Sequence, residues 1–125
     1  MKAVLLSIKP EYAHKIFDGT KKYEFRKNVF KDKSVRRVIV YSSSPERKVI
    51  GEFEIDKILN DSPAVLWTLT KDFAGITQEF YDKYFHGRAN AFAIKVASAR
   101  EYNQKKDLSD FDIMYAPQSF AYVEV

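Results

Sequence analysis

Within the segment Gly19-Thr20-Lys21-Lys22-Tyr23-Glu24-Phe25-Arg26-Lys27, a cation, an anion and a second cation surround two aromatics. On an extended backbone Glu24 and Arg26 share one face, while Tyr23 and Phe25 point to the other, which is the natural core side. A carboxylate beside a guanidinium is held ionised and oriented, so this pair is suited to recognising a charged or hydrogen-bonding ligand. Lys21 has the parity of the aromatics if the strand has already begun. It joins the polar pair only if it sits in the loop leaving Gly19.

The surrounding charge sharpens this. Residues 21 to 48 hold ten Lys or Arg against the three acids Glu24, Asp32 and Glu46, a net charge of +7 in a chain whose total is +4. The basic character is regional, and a localised positive field points to an anionic partner, nucleic acid first among them. The competing explanation is a solvated charged face.

Other residues that could do chemistry carry weaker signals. Ser42-Ser43-Ser44 could supply a nucleophile with Lys21 as base, but serines ahead of Pro45 are ordinary turn residues. His14 and His86 are far apart in sequence and have no cysteine to join, so no metal site is expected. Glu52 and Glu54 fall on one strand face, as paired catalytic carboxylates or simply as exposed residues. Trp67 and the stripe from Phe80 to Phe85 are expected to be core packing.

The elements that must position these groups are legible from periodicity. Ala3 to Ile8 reads as a strand, and Lys9-Pro10 opens a helix that Gly19 closes. Tyr12, Ala13, Ile16 and Phe17 form its apolar stripe, with His14, Lys15 and Asp18 toward solvent. Strands are expected over about 21–27, 36–42, 49–58, 91–96 and 119–125. Ser62-Pro63 starts a second helix running to about Leu69, and Thr77 caps a third that stops at Gly87. Asn103 to Asp112 reads as a polar loop. Six strands and three short helices in 125 residues give one α+β domain, a small β-barrel with flanking helices. No apolar run is long enough for a membrane span, and the apolar run after Met1-Lys2 is too short for a signal-peptide core. The absence of cysteine excludes disulfides, so the cytoplasm is the expected compartment.

Gly19, Lys21, Glu24 and Arg26 match all four fixed positions of G-x-K-x-x-E-x-R. The context extends the match: Leu5-Leu6-Ser7-Ile8-Lys9-Pro10 and the following helix, the Val49-Ile50-Gly51-Glu52-Phe53 strand, and Pro117-Gln118-Ser119-Phe120. In these features the whole chain resembles the ASCH family of the PUA-like superfamily. That resemblance implies a PUA-like barrel with a cleft between barrel and first helix, lined by the signature residues and holding RNA or a nucleotide. Lys21 and Arg26 would contact phosphate or a base edge, and Glu24 would orient Arg26 or accept from a base amine. Lys9, Tyr41 and Ser43 complete the expected ligand-binding set, with Tyr12, Tyr23 and Tyr41 as stacking candidates. No cofactor, metal or membrane partner is expected, and the oligomeric state is left open.

Some relatives are enzymes. One branch is an amidohydrolase of acetylated cytidine whose catalytic set resembles the signature Lys, a Thr at the third signature position and a later carboxylate. Here only Lys21 is kept: Glu24 stands at the Thr position, and Ala74 near that of the carboxylate. Another relative is a ribonuclease, for which Lys21 with a nearby Tyr or Ser would move protons and stabilise phosphate. The sequence therefore favours a binding module, with a small hydrolase dependent on Lys21, and on Glu24 as acid or base, as the alternative. A subunit of transcriptional regulation is a further reading, although no helix with a basic, DNA-reading N-terminus is visible.

Overall fold

A computed structural model describes residues 1–125. The strands are β1 (Lys2–Ile8), β2 (Tyr23–Arg26), β3 (Arg37–Ser42), β4 (Lys48–Asp61), β5 (Ala91–Lys106) and β6 (Phe120–Glu124), and the helices are α1 (Pro10–Phe17), α2 (Pro63–Thr70) and α3 (Gln78–Tyr84). They form one mixed six-stranded sheet in the order β2-β5-β4-β3-β1-β6, in which β1 and β3 run parallel and the other pairs antiparallel. This is the expected α+β architecture.

The sheet is not closed by backbone hydrogen bonds, because β2 and β6 are its two edges. It is nevertheless curled enough to bring those edges together. From β2, Arg26 donates through Nη2 to the Ser7 carbonyl of β1 at 2.9 Å and through Nη1 to the Ser119 carbonyl beside β6 at 3.3 Å. A side chain thus spans the seam that the backbone leaves open.

Strand alternation separates the core into layers. Val38 and Val40 face the interior of the curl with Val4, Leu6, Ile50, Phe53 and Ile94, and α1 plugs that interior with Ala13 and Ile16. Ile39 and Tyr41 face the opposite way, onto Ala3, Leu5, Val49 and Val123. Phe25, Ala91 and Ala93 on the outer face of β2 and β5 are covered by Leu66 of α2 and Tyr81 and Phe85 of the α3 region. Both helices carry the expected side-chain caps, Ser62 accepting from the Val65 N–H and Thr77 from the Phe80 N–H.

Two elements run longer than their hydrophobic pattern indicated. The strand expected over 91–96 continues to Lys106, taking in part of the expected polar loop, and β4 extends to Asp61. The two strands hydrogen-bond to each other along this length, with register shifts on the way. Mutual pairing, not burial of a face, sustains their polar halves, and pairing leaves no trace in apolar periodicity. No helix is long and apolar enough to cross a membrane.

One close approach fixes how α1 meets the sheet. A Cβ at Gly51 of β4 would stand 2.5 Å from Phe17 Cζ and 2.6 Å from the Arg100 carbonyl oxygen. Gly51→Ala must therefore push apart two strands or displace α1, and is expected to cost about 1–3 kcal/mol. A thermal melt should fall by several degrees relative to wild type; an unchanged melting temperature would contradict this packing.

Candidate nucleotide-binding cleft

The end of β1, helix α1, strand β2 and helix α3 enclose a cleft of about 140 Å³ lined by Ser7, Lys9, Tyr12, Lys21, Glu24 and Arg26, with Phe25, Ile76, Phe80 and Tyr84 among its apolar walls. Its size is below the roughly 300–1,000 Å³ of pockets for drug-sized ligands, so it suits one small planar or anionic group.

Lys21 reaches the cleft because β2 begins only at Tyr23. Helix α1 ends, Gly19 takes a φ of +85°, and the loop carries Lys21 inward, its N–H bonded to the Lys15 carbonyl at 3.0 Å. The side chain is 2% exposed. Its methylenes lie against Gly75, where a Cβ would come 2.4 Å from Lys21 Cβ, and its ammonium donates to the Ala74 carbonyl at 2.8 Å. The rings of Phe25 and Tyr12 lie 4.9 and 5.7 Å from Nζ. Glu24 Oε1 is 4.0 Å away, an ion-pair distance too long for a direct hydrogen bond.

Glu24 and Arg26 occupy the same face of β2, as strand parity requires. Arg26 Nε donates to Glu24 Oε2 at 3.1 Å, and Nη2 lies 3.0 Å from the same oxygen. With Ser7 and Ser119 also bound, most of the guanidinium's donors are engaged within the protein. Arg26 therefore orients Glu24 and ties the seam. Glu24 Oε1 and the two ammonium hydrogens that Lys21 does not give to Ala74 are left without a direct hydrogen bond within the protein.

Lys21, Glu24, Arg26 and Lys9 are brought together, Lys9 with its ammonium 5.3 Å from the Phe80 ring. Tyr41 is not with them. Its parity on β3 is that of Ile39, so it faces away from the curl's interior and is nearly buried. Ser43 also stands apart, in the turn after β3, where its N–H binds the Ile8 carbonyl at 2.9 Å. Ser42 is fully buried and does not line the cleft, so no serine of that turn is placed to use Lys21 as a base. Tyr23 packs on the outer face, leaving Tyr12 as the tyrosine in the cleft among the three stacking candidates.

Phe80 and Tyr84 were missed as cleft residues. The stripe from Phe80 to Phe85 divides into two ridges: Tyr81 and Phe85 enter the core, while Phe80 and Tyr84 stand one turn apart with nearly parallel rings against the cleft. Tyr12 meets Phe80 at 5.4 Å. The available signal was the width of the stripe: four aromatics at i, i+1, i+4 and i+5 cover enough of the helix for one edge to border a cleft, and Tyr84 packs on the core as well.

The match to the ASCH domain family model covers residues 6–104. The chain belongs to the ASCH domain family. Among related sequences, an ASCH domain-containing ribonuclease from Zymomonas mobilis is 29% identical over 96 residues, which is 75% of this chain and 65% of that protein. Large ribosomal subunit protein uL22 of Ureaplasma parvum is 29% identical over 121 residues, 97% of this chain but 39% of that protein. The chain thus spans less than two-thirds of the length of either relative. The crystal structure of ASCH from Zymomonas mobilis superposes with a TM-score of 0.88 at 24% identity, covering 98% of this chain and 87% of the other, which shows a common fold.

Burial lowers the Lys21 ammonium from the usual lysine value of 10.5 to about 8; Glu24 opposes the shift, while Lys15 and Arg26 add to it. Between about pH 8 and 10.5 the unfolded chain holds a proton on Lys21 that the folded chain has lost, so folding stability gains as pH rises through that window. Denaturant titrations of wild type and Lys21→Met across it should show wild type gaining stability relative to the variant. A difference constant with pH would contradict the buried, partly neutralised amine.

Proposed function

We propose that this ASCH domain binds RNA by taking one nucleotide unit into the cleft. Lys21 supplies hydrogen-bond donors, Glu24 supplies an acceptor, and the aromatic walls pack on the base. The observation that carries this reading is the placement of Lys21 Nζ and Glu24 Oε1, 4.0 Å apart and nearly buried, each with hydrogen-bonding capacity left over, on an aromatic cleft. Base edges present donors and acceptors side by side, and a donor next to an acceptor is the complement they need. Tyr12, Phe80 and Tyr84 provide the stacking surfaces that single-stranded RNA recognition uses. Similarity to a protein named as a ribonuclease agrees with RNA as the ligand class.

A second reading, cleavage of the bound RNA, is favoured by one feature: an amine whose pKa is about 8 sits in the cleft and can give or take a proton near neutrality. In such a reaction a base removes the 2′-hydroxyl proton as that oxygen attacks the adjacent phosphorus, and an acid protonates the departing 5′-oxygen. Lys21 and Glu24 would share those roles. Amidohydrolysis is less well supported, because Glu24 is the only carboxylate lining the cleft and the Ala74 backbone carbonyl, not a side-chain acid, meets Lys21.

Glu24→Gln keeps the shape and removes the charge; Lys21→Met keeps the stem and removes the donors. Each is expected to weaken binding of short RNA by roughly 10- to 100-fold, the worth of a charge-assisted hydrogen bond in a desolvated site. Fluorescence anisotropy measures the affinity, and gel analysis of the same mixtures reports cleavage. Products formed by wild type and absent with Lys21→Met would select the second reading; undiminished binding by both variants would overturn the first.

A further inference from the structure

A second surface concentrates the basic charge. Between the β2–β3 connection and the outer half of β4 lies a groove of about 510 Å³ whose floor includes Phe30, Ile58 and Phe92 and whose lining holds Lys31, Lys33, Arg36 and Lys57. All four cations are exposed, and none has a carboxylate within ion-pair distance. The one acid lining the groove, Asp32, is already committed: it pairs with the Lys2 ammonium at 2.9 Å and accepts from Ser34. Four uncompensated cations over a partly aromatic floor form a surface whose charge calls for a flexible polyanion with apolar faces.

The groove lies near the cleft, although no residue lines both. Phe92 lies directly across from Arg26 in the β2–β5 ladder, so the two side chains share a face of the sheet. From Arg26 the chain reaches Val29 of the groove within three residues, at most about 11 Å. Lys57 joins from a different strand, outside the basic run of residues 21 to 48, so the fold and not local sequence completes the set.

We propose that this groove is a strand-binding subsite for single-stranded RNA. Phosphodiesters flanking the nucleotide in the cleft contact Lys31, Lys33, Arg36 and Lys57, and a neighbouring base stacks on Phe92. The proposal rests on the cleft reading for its ligand. It makes a prediction that reading lacks: affinity rises with RNA length, and the gain comes from the groove cations.

The test measures binding of a uridine-rich 10-mer and of a mononucleotide across a series of salt concentrations. The proteins compared are wild type, the exposed-residue variant Lys31→Ala/Lys33→Ala/Arg36→Ala/Lys57→Ala, and Lys21→Met, with circular dichroism to confirm the fold. Each single-strand phosphate contact contributes a slope of about 0.7, so the quadruple variant should lose about 3 from the slope of log affinity against log salt for the 10-mer. Its mononucleotide affinity should be unchanged. An unchanged slope, or a 10-mer that binds wild type no better than the mononucleotide, would overturn the groove. Polyglutamate that binds wild type and is not displaced by the 10-mer would overturn it in favour of a protein partner. Failure of the cleft is separate: Lys21→Met would then keep full affinity for both RNAs while the quadruple variant still lost slope.

Discussion

The bond set of Arg26 is the constraint on which the rest of this fold's site depends. A sheet that curls without closing has two edges, and here one guanidinium holds both while also gripping a carboxylate. The planar fork of arginine makes this possible, because its donors diverge in fixed directions. A lysine could satisfy some of these acceptors but not the set. The consequence is functional as well as structural. By consuming Glu24 Oε2, Arg26 aims the other oxygen toward Lys21 and the cleft. The first half of the signature plays its part alongside: the glycine-terminated helix delivers Lys21 from the loop, and the close approach of Gly75 seats its stem.

Burying such a cluster is costly, and its arrangement limits the cost. Lys21 and Arg26 carry two positive charges against one on Glu24, and the surplus is met partly by carbonyl oxygens of Ala74, Ser7 and Ser119 and partly by the faces of Phe25 and Tyr12. Burial still pushes the Lys21 pKa down, the direction expected where desolvation outweighs such compensation. An excess positive charge in a small aromatic cleft is a standing preference for an anion or for the acceptor edge of a base. The exposed cations of the β2–β3 groove act differently. They are exposed and attract over distances limited by salt screening.

Strand parity was enough to place Glu24 and Arg26 together, because a period of two leaves no other choice on an extended segment. The position of Lys21 turned on where β2 begins, which depends on a ladder with β5 and on the Lys22 N–H bonding to Phe73, neither visible in local sequence. Tyr41 was near in sequence but on the wrong face of a strand buried on both sides, where a continuous apolar run hides the alternation. Phe80 and Tyr84 were obscured for the opposite reason: an aromatic stripe reads as core, and nothing in its spacing tells that one edge of it also borders a cleft. The seam itself was not legible at all, since it joins residues 26 and 119 through a side chain and a carbonyl.

The central claim is that the Lys21–Glu24 pair receives a nucleotide. Amide and side-chain NMR spectra of the isotopically labelled protein, titrated with a nucleoside monophosphate, test this most directly. The account predicts shift changes centred on Lys21, Glu24, Tyr12 and Phe80, with the groove residues Lys31, Lys33 and Lys57 little affected. Changes confined to the groove, or none at the cleft at saturating nucleotide, would contradict it.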